Sequence, residues 1–272
     1  MNRRPDGLDW ELVLDRLSEF YHTGDWRVPY LRDHAESPFQ VLIGTILSQR
    51  TRDANTDIAS RQLFERFPDP ESLAKARLPV VERLIRRTGF YHVKARVIRA
   101  CAQDLLRRFH GAVPANLPDL LTLPGVGPKT ANCVLVFGYA IPAIPVDTHV
   151  HRIANRLGVV RTDHPEDTEA RLRKVLDSQY WIPLNPLLVQ HGQNICRPRR
   201  PRCPQCPIAD LCATGIALRE GRDPPRPEDR PPTVRRPRPS RSTRPGTGVL
   251  SSRDRAARRK TRARRSTPTK GL

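Results

Sequence analysis

Leu123-Pro-Gly-Val-Gly-Pro-Lys129-Thr-Ala131 is the stretch from which the rest of the chain can be read. Upstream, Leu117, Leu120, Leu121 and Leu123 read as a short helix, and Ala131 to Tyr139 reads as a second one. The link between them needs close backbone approach and positive φ, which glycine supplies at least cost; Gly125 and Gly127 flank Val126 there. Pro128 suits the first turn of the following helix, where its missing N–H is not needed. Such a turn aims backbone N–H groups outward from the positive end of a helix dipole, and it can hold a phosphate without any side chain. The geometry is that of a helix-hairpin-helix, a motif suited to a duplex backbone. An ordinary αα-hairpin is the alternative on these nine residues alone.

Composition points the same way. The 272 residues allow one large domain or two modest ones with real cores. Net charge is +20 and unevenly spread: residues 221–272 hold 17 Lys+Arg against 4 Asp+Glu, leaving only +7 on the first 220 residues. A moderately basic body with a very basic tail favours a polyanionic partner, nucleic acid first among them. Met1 to Trp10 lacks an apolar leader segment. The longest uncharged run, Thr130 to Val146, is short and broken by Pro142 and Pro145, so no membrane span is expected. The expected location is the cytoplasm, in association with the nucleoid. In such a reducing compartment, clustered cysteines bind metal more often than they pair.

In chain order, residues 8–21 show helical spacing of Leu8, Leu12, Leu17 and Phe20, with Asp9 as N-cap and Gly24 marking the end. Pro38 to Ser48 is apolar nearly all round and predicts a buried central helix. It runs into the abruptly polar Gln49-Arg50-Thr51-Arg52-Asp53, where Asp53 is expected to cap a helix reaching Phe67. Helices follow near Leu73, from Val80 to Thr88, and from Lys94 to Phe109, the last two separated by Gly89-Phe90-Tyr91-His92. Asp147 is placed to cap a helix running to about Leu157, and helices Pro165 to Tyr180 and Asn185 to Ile195 complete the folded part. Cys101 and Cys133 read as core thiols. No segment alternates long enough to make a strand, so the fold is all-α. From about Ala213 the chain is Arg-, Pro- and Ser-rich without aromatics, and is expected to be a disordered basic tail.

Cys196, Cys203, Cys206 and Cys212 form the most specific motif, with spacing C-x6-C-x2-C-x5-C. Four thiolates can hold a tetrahedral zinc ion or the corners of a [4Fe–4S] cluster, and spacing alone leaves both open. Arg197, Arg199, Arg200 and Arg202 lie between the first two cysteines, so a loop pinned by metal would carry four phosphate-binding guanidinium groups.

With the hairpin, Val146-Asp147-Thr-His-Val-His-Arg-Ile-Ala-Asn-Arg-Leu-Gly158 and the four cysteines together, the chain resembles the endonuclease III family of helix-hairpin-helix DNA glycosylases from roughly Trp10 to Leu211. The resemblance implies two lobes: residues 1–30 with 142–212 as an iron–sulfur domain, and 31–141 as a helical barrel, with 213–272 outside both. It also implies a [4Fe–4S] cluster, a monomer, and a duplex partner bearing damaged bases or abasic sites. Excision of oxidised pyrimidines is the family activity. Lys129 matches the family's nucleophile and Asp147 its catalytic carboxylate; enzymes that only excise the base carry a non-nucleophilic residue in place of that lysine. A lysine there implies strand cleavage 3′ to the lesion through a Schiff base. Phe90 matches an apolar wedge, while the slot of the family's DNA-probing glutamine is occupied by Arg50, with Gln49 one residue earlier.

Overall fold

The computed structural model describes residues 8–22 and 37–223. The expected end at Gly24 and the tail beyond Asp223 lie outside the described residues. Among the described residues there is no strand, in accord with the all-α expectation.

The fold is built around α2 (Pro38–Ser48), in which every residue from Val41 to Leu47 is buried. Its start is fixed by Ser37, whose hydroxyl accepts from Gln40 N at 3.3 Å, and by Pro38 at the first helical position. An apolar cluster gathers on it: Leu63 from α3 (Asp53–Arg66), Leu73 from α4 (Pro70–Ala74) and Val81 from α5 (Leu78–Leu84). Ile98 and Leu105 from α6 (Tyr91–Phe109) and Leu120 from α7 (Leu117–Leu121) complete it, with the residues that follow α8 (Pro128–Cys133). Truncating a fully buried leucine here, such as Leu42, is expected to cost about 2–5 kcal/mol.

A second apolar cluster joins the two ends of the described chain. Trp10, Val13, Leu14 and Leu17 of α1 (Trp10–His22) pack with Val150 and Ile153 of α9 (Thr148–Leu157), Leu172 of α10 (Pro165–Val175) and Leu188 of α11 (Trp181–Asn194). Asp9 caps α1 as expected, accepting from Leu12 N at 3.1 Å. The chain passes from the first cluster to the second between Ala143 and Ile144.

Several boundaries differ from expectation. The second hairpin helix is α8 followed by one wide π turn, Val134–Gly138, rather than a single α-helix to Tyr139. An apolar run buried at Val134, Leu135 and Val136 has no polar face from which an inserted residue could be read. Asp53 is the first residue of α3 rather than its N-cap; Arg52 holds that position without a side-chain cap bond. Residues 213–219 form α12 (Ala213–Arg219), not the start of the tail. Small Gly215 and Ala217 are buried there, and Thr214 Oγ1 donates to Arg156 O at 3.0 Å. The expected helix from Val80 ends at Leu84, and α6 and α11 start three and four residues early. The helix from Pro165 stops at Val175, before a separate short turn at Ser178–Tyr180.

Candidate functional site

In the hairpin, Gly125 adopts φ +79 and Val126 N closes the turn on Leu123 O at 3.2 Å. Gly127 is the N-cap of α8, which makes Pro128 its first residue and Lys129 its second. The first-turn N–H groups have no carbonyl within the helix to meet, and no side chain caps them from Gly127. A Cβ on Gly125 would stand 2.4 Å from Val97 Cγ1, whereas one on Gly127 would meet nothing within 4 Å. The first glycine is therefore required by packing and backbone shape, and the second leaves open space beside the N–H groups.

Asp147 and Lys129 are brought together by the segment between the two apolar clusters. Asn132 Nδ2 donates to Ile144 O at 3.3 Å and Asn185 Nδ2 donates to Pro145 O at 2.6 Å, holding the approach to α9. Asp147 Oδ1 then caps α9, accepting from His149 N at 2.9 Å and Val150 N at 2.8 Å. Its charge is felt at Lys129. Burial works against the Lys129 ammonium, but hydrogen-bonded Cys133 and the carboxylates of Asp147 and Asp53 favour it, and the net direction is upward from the ordinary lysine value. Burial pushes the Cys133 thiol up as well. Lys129 therefore rests as an ammonium, with the carboxylate of Asp147 within electrostatic reach. Asp53 itself accepts from Gln193 Nε2 at 2.9 Å, linking α3 to α11 beside the site. Burial, seconded by Arg152, pushes His149 down against the pull of Asp147, so the ring is neutral and faces Arg152 Nη2 at 3.2 Å.

Gln49 and Arg50 are separated in role by position. Gln49 turns back onto the hairpin, its Nε2 donating to Gly125 O at 3.1 Å and Thr130 Oγ1 at 3.4 Å. Arg50 sits at φ +51 with its guanidinium 5.9 Å from the centre of the Phe90 ring. Phe90 is 64% exposed and itself has φ +58, a left-handed conformation that costs a side-chain-bearing residue about 1–2 kcal/mol. An exposed phenylalanine held in a strained conformation at the start of a helix has no packing reason to be there.

The four cysteines line one pocket together with Ile153, Leu157, Ile195 and Ile208. None of the four is in a disulfide. Four thiols converging on one pocket supply the donor set that a [4Fe–4S] cluster requires. Burial pushes Cys206 up to about 12 and also raises Cys203 and Cys212, so these sulfurs become thiolates only against the positive charge of a metal centre. Arg156 donates to Cys196 Sγ at 3.3 Å, and to Arg197 O and Pro198 O at 2.7 and 2.8 Å. It thereby ties the cluster to the loop on which Arg197, Arg199, Arg200 and Arg202 are all exposed. His191 bridges Tyr21 (2.8 Å) and Cys206 Sγ (3.5 Å), which joins α1 to the same site.

Residues 43–178 match the HhH-GPD superfamily of base excision DNA repair proteins, and residues 196–212 match the iron–sulfur binding domain of endonuclease III. Endonuclease III of Thermotoga maritima is 49% identical over 182 residues, covering 66% of this chain and 85% of its own. The chain belongs to the endonuclease III family. Endonuclease III-like protein 1 of Bos taurus is a more distant relative, 36% identical over 222 residues, with 77% and 73% of the two chains covered. A solved endonuclease III–DNA covalent intermediate superposes with a TM-score of 0.69 at 32% identity, covering 77% of this chain and 97% of that one. A thermostable thymine-DNA glycosylase shares the fold at a TM-score of 0.66 and 24% identity. This endonuclease III family member is a DNA glycosylase of base excision repair and carries a [4Fe–4S] cluster; the matched iron–sulfur segment begins and ends on Cys196 and Cys212.

Sequence reasoning did not find Asn132, Asn185, Gln193 or Arg156. Each acts by reaching a residue far along the chain, and only the fold reveals such a partner.

Proposed function

We propose that the chain is a bifunctional glycosylase and abasic-site lyase acting on oxidised pyrimidines in duplex DNA. The observation that carries this reading is Lys129 at the second position of α8, within electrostatic reach of Asp147. Asp147 accepts a proton from the Lys129 ammonium or stabilises positive charge on the sugar; the amine attacks C1′, and the C1′–N bond to the base breaks. The base departs with a proton, the C1′–O4′ bond opens with O4′ taking a proton, and the resulting iminium acidifies the C2′ proton, whose removal by β-elimination expels the 3′ phosphate. A relative 32% identical to this chain is described as trapped in a covalent intermediate with DNA, in keeping with this chemistry.

DNA is proposed to lie across the two lobes of a monomer, 31–141 and 142–212 with 1–30, the target nucleotide turned out between them. The turn at Gly125, Val126 and Gly127 takes one phosphate on the N–H groups that open α8, and Arg197, Arg199, Arg200 and Arg202 take others. Arg50, rather than Gln49, fills the gap left by the flipped nucleotide, because Gln49 is already spent on the hairpin. Phe90 enters the opposite stack. The cluster, when bound, supplies folding energy to the loop that presents the arginines. Cys196, which would hold it, meets Arg156 near the far end of α9 from Asp147, a helix about 15 Å long.

The test is a panel of duplexes bearing thymine glycol, other oxidised pyrimidines, thymine or uracil opposite guanine, or an abasic site. Strand cleavage without added alkali on oxidised pyrimidine substrates is expected. Base release that needs alkali to reveal a break would assign the chain to mismatch glycosylases acting on the base alone.

A further inference from the structure

We infer that Lys94 is the positioning residue that holds the two DNA-facing turns, 49–51 and 89–90, together so that Arg50 and Phe90 project as one wedge. Lys94 lies in the first turns of α6, only 6% exposed, on a surface helix whose other lysine and arginine residues are half-buried or open to solvent. Its ammonium donates to Leu47 O, Gln49 O and Thr51 Oγ1, each at 2.7 Å, so all three of its N–H bonds are used. Two of those acceptors flank Arg50, and Leu47 O belongs to the last turn of α2, where a helix end favours a cation.

The second turn is tied to the first through the same hydroxyl. Gly89 N donates to Thr51 Oγ1 at 3.1 Å, and a Cβ on Gly89 would stand 2.9 Å from Arg50 O. The two turns therefore touch backbone to backbone. Arg50 and Phe90 are both left-handed, a conformation that persists only where the surroundings over-determine it. The Phe90 side chain is 64% exposed, its ring near the Arg50 guanidinium. The charged bonds of Lys94 to the 47–51 carbonyls, and the shared Thr51 hydroxyl, are what fix the pair. Burial lowers the Lys94 pKa to about 8, consistent with an ammonium retained inside the fold for its hydrogen bonds despite the cost of desolvation. A surface role for this lysine as a phosphate contact is incompatible with its burial.

This inference rests on the reading of Arg50 and Phe90 as the duplex wedge, and its test separates the two. The probe is borohydride trapping on an abasic site in a fully paired duplex and, in parallel, on the same strand inside a mismatch bubble whose stacks are already open. Lys94→Met keeps the buried stem and removes the three bonds. It is expected to slow trapping on the paired duplex by about tenfold or more relative to wild type, with recovery in the bubble. With 2-aminopurine opposite the site, the brightening seen on saturating wild-type binding should be lost. Thr51→Val, which removes the shared hydroxyl, should act in the same direction more weakly, and it decides the matter if Lys94→Met does not fold. Equal loss on both substrates, or no loss on either, would overturn the inference. A wild-type protein that traps neither substrate would instead overturn the lyase reading.

Discussion

Gly125 and Gly127 look alike in sequence, yet alanine at each should do opposite things. At Gly125 the new Cβ must tolerate φ +79, which costs about 1–2 kcal/mol, and it must displace Val97 Cγ1 from 2.4 Å, an overpacking cost of about 1–3 kcal/mol. Some of the overpacking relaxes, because Val97 is only partly buried. A loss of about 2–4 kcal/mol lowers Tm by roughly 5–15 °C in a protein of this size. At Gly127 the backbone is extended (φ −106, ψ 179) and the space is empty. Alanine there loses some N-cap preference and gains from a less flexible unfolded chain, so the net change stays within about 1 kcal/mol. If a phosphate docks on the N–H groups of α8, however, the methyl group that Gly127→Ala introduces stands in its way. Thermal melts and duplex-binding titrations on the two variants give the expected crossing: Gly125→Ala melts early, and Gly127→Ala melts normally but binds weakly. A Gly127→Ala protein that binds duplex like wild type would refute the placement of the phosphate at this turn.

Three further outcomes follow from the site. Asp147→Asn keeps a capping oxygen but removes a charge that raises the Lys129 pKa, so the rising limb of the pH–rate profile on pre-formed abasic DNA should move to lower pH, while base excision falls more severely; an alkaline shift would contradict the assignment. Cys203→Ser should lose the yellow-brown colour and visible absorbance of the cluster and yield less soluble protein, whereas active, colourless protein with one zinc per chain would exclude the cluster. Deleting residues 224–272 should flatten the dependence of log K on log salt without changing lesion preference, and an unchanged slope would remove the tail from DNA binding.

The all-helical fold, the buried central helix and the two functional motifs were legible because each rests on local chemistry. Glycine conformations, an apolar run and cysteine spacing are all readable from adjacent residues. Boundaries failed where tertiary contacts chose between local options. Asp53 could have capped α3, but the fold gives its carboxylate to Gln193, 140 positions later. Ala213–Arg219 reads as the start of a low-complexity tail, yet it is helical, with Ala217 buried and Gly215 so close to the backbone of Ala209 that a Cβ would stand 2.3 Å from its carbonyl oxygen. The choice between Gln49 and Arg50 was equally hidden. One residue of register decides which side chain meets the hairpin and which meets Phe90, and Lys94, far along the chain on α6, bonds the backbone at that point.

The central claim is that the amine of Lys129 makes the bond to DNA, and borohydride trapping on abasic-site duplex tests it most directly. Wild-type protein should be captured covalently, and Lys129→Gln should give no adduct and no strand cleavage while retaining duplex binding and the cluster's absorbance. An adduct formed by Lys129→Gln at near wild-type rate would place the nucleophile on another amine and contradict the account.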